Sequence, residues 1–311
     1  MDTIYGSSTS INMLNASQVS HQSVQTAKSL NYLLGNAYIF EDSDDITFKS
    51  IDLLYKRSGI TDNIALSADI GLFSISQYEK KYSGMRYGAT LYYNNFSLRL
   101  GMNDYDDFSE FTPTLMYSNI YRDHSYNLEY TRQNALFYTY SLVPYEKRIV
   151  ADHFSASDFI VFENKTDIWL NAEVNLFSNN DTEITAQFDW IFHRDTAFTP
   201  KFTYAYALEG WYTSHTRQHN DFYSPAFADA TLLRFDPQYI FSKYIGVRGK
   251  VGVGYSVMDQ ITPYKYGAWL FGEPTNNLAY EIGCLESNAA RLSYGNNYHY
   301  RECRASLGYT W

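Results

Sequence analysis

The chain has 311 residues, of which 31 are Tyr, 20 Phe and 5 Trp, while its charged fraction of 19% lies below the roughly 25% usual for soluble globular proteins. A mean hydropathy of −0.38 and the absence of an uncharged apolar run approaching about 20 residues exclude a bundle of membrane helices. The 45% apolar content without triplet glycine or heptad seam excludes collagen, coiled coil and wholesale disorder. A formal net charge of −10 with no basic stripe excludes a nucleic-acid partner, and two cysteines are too few for a disulfide scaffold and lack zinc-site spacing.

In chain order, residues 1–28 stand apart. Asn15 to Leu34 is polar, with Ser17, Val19, Val24 and Ala27 at weakly helical spacing, and fits a plug, a periplasmic helix or the tail of a missing domain. The opening MDTIYGSSTS shows no basic region followed by an apolar one, so the chain is cytoplasmic, already processed, or an excised piece of a longer protein; the pattern that follows favours the last two.

From residue 29 to 311 the period is two. Leu66, Ala68, Ile70 and Leu72 oppose Ser67, Asp69 and Gly71; Met85, Tyr87, Ala89 and Leu91 oppose Arg86, Gly88 and Thr90. The same split recurs at Leu98 and Leu100 against Arg99 and Gly101, at Leu170 and Val174 against Asn171 and Glu173, at Ala186 and Phe188 against Gln187 and Asp189, and at Val251 and Val253 against Lys250 and Gly252. Turn clusters lie between: Glu41 to Asp45, Asn94-Asn95, Ser178 to Asp181 and Thr275 to Asn277, with longer polar connections over Ser76 to Ser83, Pro144 to Ala156 and Tyr212 to Phe227. Each segment matches a tilted membrane strand of about 9–11 residues, and their number predicts an all-β, antiparallel transmembrane barrel of about 16 strands, with 14–18 in range.

A soluble sandwich or propeller also alternates. Three features favour the barrel. Aromatics end the apolar faces, at Tyr93, Tyr130, Tyr140, Trp190, Tyr206, Tyr255, Tyr264 and Tyr266, as at two lipid interfaces. The opposite faces carry charge and glycine. The chain closes on an alternating strand with Leu307, Tyr309 and Trp311 on one face, a pattern like the assembly signal of bacterial outer-membrane proteins. The implied partners are outer-membrane lipid and the barrel-assembly machinery, and the implied state is a monomer.

A hairpin around Ser287 to Asn297 puts Cys284 on a face with Leu278, Tyr280 and Ile282, and Cys303 on a face with Leu307 and Tyr309. Both cysteines then share the apolar side of adjacent strands, within bridging range, which predicts a disulfide in an oxidising compartment; two free thiols are the alternative.

The inward faces carry Asp69, Glu129, Glu173, Asp189, Glu209, Glu281 and Glu302 against Arg86, Arg99, Arg248, Lys250 and Arg304. This excess of acid predicts a mildly acidic passage for cationic or neutral polar solutes, unless cross-strand ion pairs fill the interior. Tyr92, Phe137 and Trp169 are candidate lumenal rings for stacking on sugars. The enzymatic alternative rests on Tyr212 to Asp221, which offers Ser214, His215, His219 and Asp221, a set that nucleophilic catalysis would need within hydrogen-bond reach. No Gly-rich oxyanion element lies beside them, and a metal at His215 and His219 is disfavoured because His-rich loops are usually solvated. The expectation is a non-enzyme without cofactor or metal.

Phe222 to Pro225 after a long loop, followed by an alternating strand from Ala230, and Ser293-Tyr294-Gly295-Asn296 followed by Arg301-Glu302 and the terminal strand to Trp311, resemble the C-terminal barrel of exopolysaccharide export porins. That group contains the poly-N-acetylglucosamine exporter, the outer-membrane component of cellulose synthase and the Pel polysaccharide exporter. The resemblance spans most of the chain from Leu30 and implies 16 strands in the bacterial outer membrane, a polysaccharide cargo moved passively by its synthesis at the inner membrane, and a periplasmic tetratricopeptide-repeat domain or partner. A general or substrate-specific nutrient porin and a lipid-modifying barrel enzyme are the alternatives.

Overall fold

The computed structural model describes residues 31–61, 63–139, 141–162, 165–218, 225–242, 244–258, 260–290, 293–294 and 298–311. Sixteen of its strands close into one barrel. They are β1 (Tyr32–Asp42), β2 (Ile46–Thr61), β3 (Ile64–Gln77), β4 (Lys80–Tyr93), β5 (Phe96–Tyr105), β6 (Ser109–Tyr121), β7 (His124–Asn134), β8 (Val150–Val161), β9 (Asp167–Phe177), β10 (Thr182–Thr199), β11 (Phe202–His215), β12 (Ala228–Ser242), β13 (Ile245–Tyr255), β14 (Tyr264–Thr275), β15 (Leu278–Ser287) and β16 (Tyr300–Thr310). Each pairs antiparallel with its sequence neighbours, and β1 pairs with both β2 and β16, so Tyr32 lies between Lys56 and Thr310. Closure leaves no strand edge among these sixteen, which is what lets a sheet stand in lipid without unpaired backbone groups.

The two ends of the barrel differ. At the end holding Asn31 and Trp311, connections are short: Asn94-Asn95 joins β4 to β5, Arg122-Asp123 joins β6 to β7, and none exceeds the stretch 162–166. Asn94 has φ 51°, a left-handed conformation that asparagine adopts more readily than most residues. The opposite end carries the long connections 135–149, 216–227, 256–263 and 288–299. This asymmetry is that of membrane barrels with short periplasmic turns and long outer loops.

Alternation sorts the side chains as the pleat requires. Ile51, Leu72, Leu233, Val251 and Val253 point outward and are each more than half exposed. Outward aromatics gather near the rims, with Tyr309 stacked on Trp311 and Tyr55 on Trp311 at the short-turn end, and Tyr264 stacked on Tyr266 at the loop end. Tyr140 of the expected girdle lies outside the described residues.

Several expected boundaries move. Ser76 to Ser83 is not a long connection: β3 and β4 run through it, separated only by Tyr78-Glu79, because Tyr78 takes the left-handed turn conformation, φ 54°, that composition does not advertise. The stretch Pro144 to Ala156 divides into a helix end and most of a strand. The helical spacing read up to Leu34 gives way to β1 from Tyr32, where pairing on both sides overrides it; residues 1–30, including the segment read as plug, helix or tail, lie outside the described residues. Cys284 and Cys303 are direct cross-strand partners on β15 and β16, 4.0 Å apart at Cα, and form a disulfide on the outer face.

Candidate lumenal site

The inner wall is built in two tiers. At the loop end, the β7–β8 connection turns into the barrel as two short helices, α1 (Leu136–Thr139) and α2 (Leu142–Glu146). The turn inward is fixed by Asn134, the last residue of β7, whose amide N–H donates to Glu110 Oε2 at 2.7 Å while its Oδ1 accepts from the Leu136 amide at 3.0 Å. Ser141 caps α2 by accepting from the Val143 amide. These contacts deliver Leu136, Phe137, Leu142 and Tyr145, none more than 3% exposed, against the inward Phe40, Phe48, Phe73 and Ile75. Phe137 meets Phe73 edge-on at 5.2 Å and Phe48 at 6.2 Å, a favoured ring geometry. Each such side chain contributes about 1.5–3 kcal/mol by burial, so the connection is a plug seated in the mouth. On its rim, Tyr145 donates to Asp107 at 2.7 Å, Lys80 pairs with Glu146 at 2.6 Å, and Tyr138 stacks on His153 at 4.8 Å. Burial and the neighbouring Asp107 carboxylate push the Tyr145 phenol well above its usual range, which keeps it a donor.

The second tier is ionic. Arg86 grips Asp52 with Nε and Nη2 at 2.7 and 2.6 Å, and Arg99 grips Asp69 at 3.0 and 2.6 Å, the fork geometry that makes such pairs strong. Glycine makes both possible. Gly71 stands between Asp52 and Arg86 in register, and a Cβ there would lie 1.9 Å from Asp52 Oδ1; at Gly101 it would lie 2.1 Å from Arg99 Nη1.

Across the lumen, Asp189 and Glu209 are direct cross-strand neighbours, a like-charge juxtaposition that needs a cation. Arg234 supplies it with no side-chain exposure: Nη2 donates to Asp189 at 3.0 Å, Nη1 to Glu209, and Nε to Asp236 at 2.8 Å. Lys265 also pairs with Glu209. Arg248 pairs with Glu281 at 2.6 Å and lies over the Trp269 ring, while Arg304 meets Glu302 at 3.2 Å and lies over Tyr38.

The pleat directs every predicted lumenal residue inward: Asp69, Arg86, Arg99, Glu129, Trp169, Glu173, Asp189, Glu209, Arg248, Glu281, Glu302 and Arg304. Their pairing, which sequence reading left open as the alternative, is what the structure adds. The acidic passage expected from the unpaired charge of Glu173, Asp189, Glu209 and Glu281 is corrected: Asp189, Glu209 and Glu281 are compensated by Arg234, Lys265 and Arg248, and Glu173 accepts from Asn171 at 2.7 Å. Arg234, Asp236, Asp52 and Lys265 were overlooked, although Leu232, Arg234 and Asp236 show the same alternation. Tyr92 is not free for stacking, since it is buried against Lys56 and Ser67, and Phe137 belongs to the plug.

Ser214 and His215 fall on opposite faces of β11, so the strand separates the expected nucleophile from its base. His215 points inward and meets Asp181 at 2.7 Å, both buried; His219 and Asp221 lie outside the described residues.

A closed sixteen-strand antiparallel barrel with an apolar outer wall, a polar inner wall and a loop seated in its mouth has the fold of outer-membrane porin-like barrels. A solved structure titled bacterial polysaccharide outer membrane secretin superposes with a TM-score of 0.74 at 11% identity, covering 92% of this chain and 99% of that one. CdiB from Acinetobacter baumannii superposes with a TM-score of 0.53 at 8% identity over 90% of this chain and 60% of that one. No protein-family model and no curated protein sequence matches the chain.

Proposed function

We propose that this chain is a conduit in the bacterial outer membrane, closed at rest, through which a secreted exopolysaccharide leaves the cell. The observation that carries the reading is the plug: α1 and α2 bury Leu136, Phe137, Leu142 and Tyr145 on the inner wall, whereas an open diffusion pore needs an unobstructed mouth. A polymer driven from the synthesis side can displace a seat held by apolar contacts and a few rim hydrogen bonds without breaking the strand ladder. The likeness to a polysaccharide secretin over nearly all of both chains supports the cargo class, and a lumen of compensated charge suits a polyhydroxylated solute. On this reading the barrel works as a monomer in outer-membrane lipid, is inserted by the barrel-assembly machinery, and receives polymer from a periplasmic tetratricopeptide-repeat domain or partner. It needs no cofactor.

The test is a deletion strain that still synthesises its exopolysaccharide. Polymer should accumulate in the periplasm and vanish from the surface, and the full chain should restore secretion. Unchanged secretion in the deletion strain, together with rapid liposome swelling by small sugars through the unaltered protein, would replace the conduit with a nutrient porin.

A further inference from the structure

Below the plug, on the wall built by β1 to β7, the lumen holds a polar cavity that leaves the centres of water molecules about 70 Å³ of space. At about 10–15 Å³ of such space per water and about 30 Å³ of liquid volume each, it has room for about five or six waters, which is the bulk of one pyranose ring. Its lining includes the forked pairs Arg86–Asp52 and Arg99–Asp69 and the hydroxyls of Thr90 and Thr114.

Two acceptors on this lining have no partner among the described residues: Glu129 Oε2 and Asn36 Oδ1. Glu129 is 5% exposed, and its other carboxylate oxygen accepts from Thr131 at 2.9 Å. An unsatisfied buried carboxylate oxygen keeps its desolvation cost uncompensated, so the cavity is built to receive hydrogen-bond donors. We propose that it is a sugar-binding station: one donor-bearing, non-anionic pyranose unit of the cargo sits there, donating to Glu129 and Asn36. The inference rests on the conduit reading and adds the charge class of the polymer. Asp52 and Asp69 already neutralise the Arg86 and Arg99 guanidiniums, so the uncompensated charge on this lining is the Glu129 carboxylate: a uronate would meet it with like charge, whereas sugar hydroxyls or an ammonium donate to it.

The experiment is calorimetric titration of the purified full chain in detergent with three probes: cellotriose, the fully deacetylated chitosan trimer and a trimer of glucuronate. Cellotriose and the deacetylated chitosan trimer should bind, and the glucuronate trimer should bind at least about tenfold more weakly than either. Glu129→Gln, which replaces an acceptor oxygen by a donor, and Asn36→Leu should each weaken cellotriose by about tenfold, with heat-modifiable gel migration confirming a folded barrel. The station is refuted if the unaltered protein does not bind cellotriose, if the glucuronate trimer binds as tightly, or if both folded variants bind as the parent does. Should neither variant fold, the ranking of the three probes on the parent decides alone. Secretion is read separately: lost binding with intact secretion removes the station and keeps the conduit, and intact binding with secretion unaffected by gene deletion does the reverse.

Discussion

The plug at the mouth and the Arg234 cluster on the far wall both fill the barrel interior, yet they are held by opposite physics. The plug is a helical connection seated by rings and leucines, with its few polar contacts on the rim. The cluster consists of strand residues whose charges are almost wholly removed from water. Apolar packing is non-directional, so a seated loop can leave and return. A buried ion network tolerates no missing member, because the survivors keep their desolvation cost without the compensating attraction. One region is suited to moving and the other to holding the barrel's shape.

The largest effect should follow from Arg234→Leu, which leaves Asp189, Glu209 and Asp236 without their shared cation. Removing one side of a buried pair costs about 3–5 kcal/mol, seen as a lowered urea midpoint or loss of the heat-resistant band. A variant as stable as the parent would show that the cluster is ornamental and would end the contrast.

Next comes the seam. Cys284 and Cys303 close a loop with a sequence separation of 19, for which the bridge should contribute about 3 kcal/mol. The double Cys→Ala variant should lose about that much while leaving pore behaviour unchanged, since the bridge lies on the outer face of the wall and the plug's seat on its inner face. Peptide mapping without reductant checks the pairing itself; recovering both as free thiols from oxidatively folded protein would contradict the register of the last hairpin.

How much of this was readable beforehand divides along the same line. The alternation of Leu66 to Leu72 and of Val251 to Tyr255 directs side chains inward or outward without knowledge of partners, so the barrel, its strand number and the inward direction of Glu129 or Arg248 were legible. The disulfide was legible because both cysteines could be counted from one hairpin. Pairing was not: Asp52 meets Arg86 across an intervening strand, through the gap that Gly71 leaves, and that relation exists only once two registers are fixed. Nor was the plug, because Phe137 and Tyr145 look like any other aromatics until Asn134 turns the chain inward.

Phe137→Ala sharpens the contrast from the other side. Losing a buried phenylalanine commonly costs about 3–5 kcal/mol, but here the loss falls on the seat of the plug and not on the ladder. Barrel stability should shift by less than about 1 kcal/mol on this view, while planar-bilayer conductance and its fluctuations should rise. A large drop in urea midpoint with no change in conductance would mean that the plug is part of the rigid body.

The smallest effect concerns pH at the plug's rim. The Lys80 ammonium donates to Glu146 and holds that carboxyl below the usual carboxylate range, with burial opposing weakly. A depressed folded-state value means that the contact contributes above the unfolded value, near 4.3, and is lost as pH falls through the folded one. Because the pair is partly exposed, its loss is a modest loosening. Open-state fluctuations in bilayers should therefore increase slightly as pH falls from about 7 to about 3.5, and Glu146→Gln should raise them at neutral pH and flatten the response. If conductance responds to acid equally in Glu146→Gln and in the parent, the sensitive group lies elsewhere, and the rim contacts are not what holds the mouth closed.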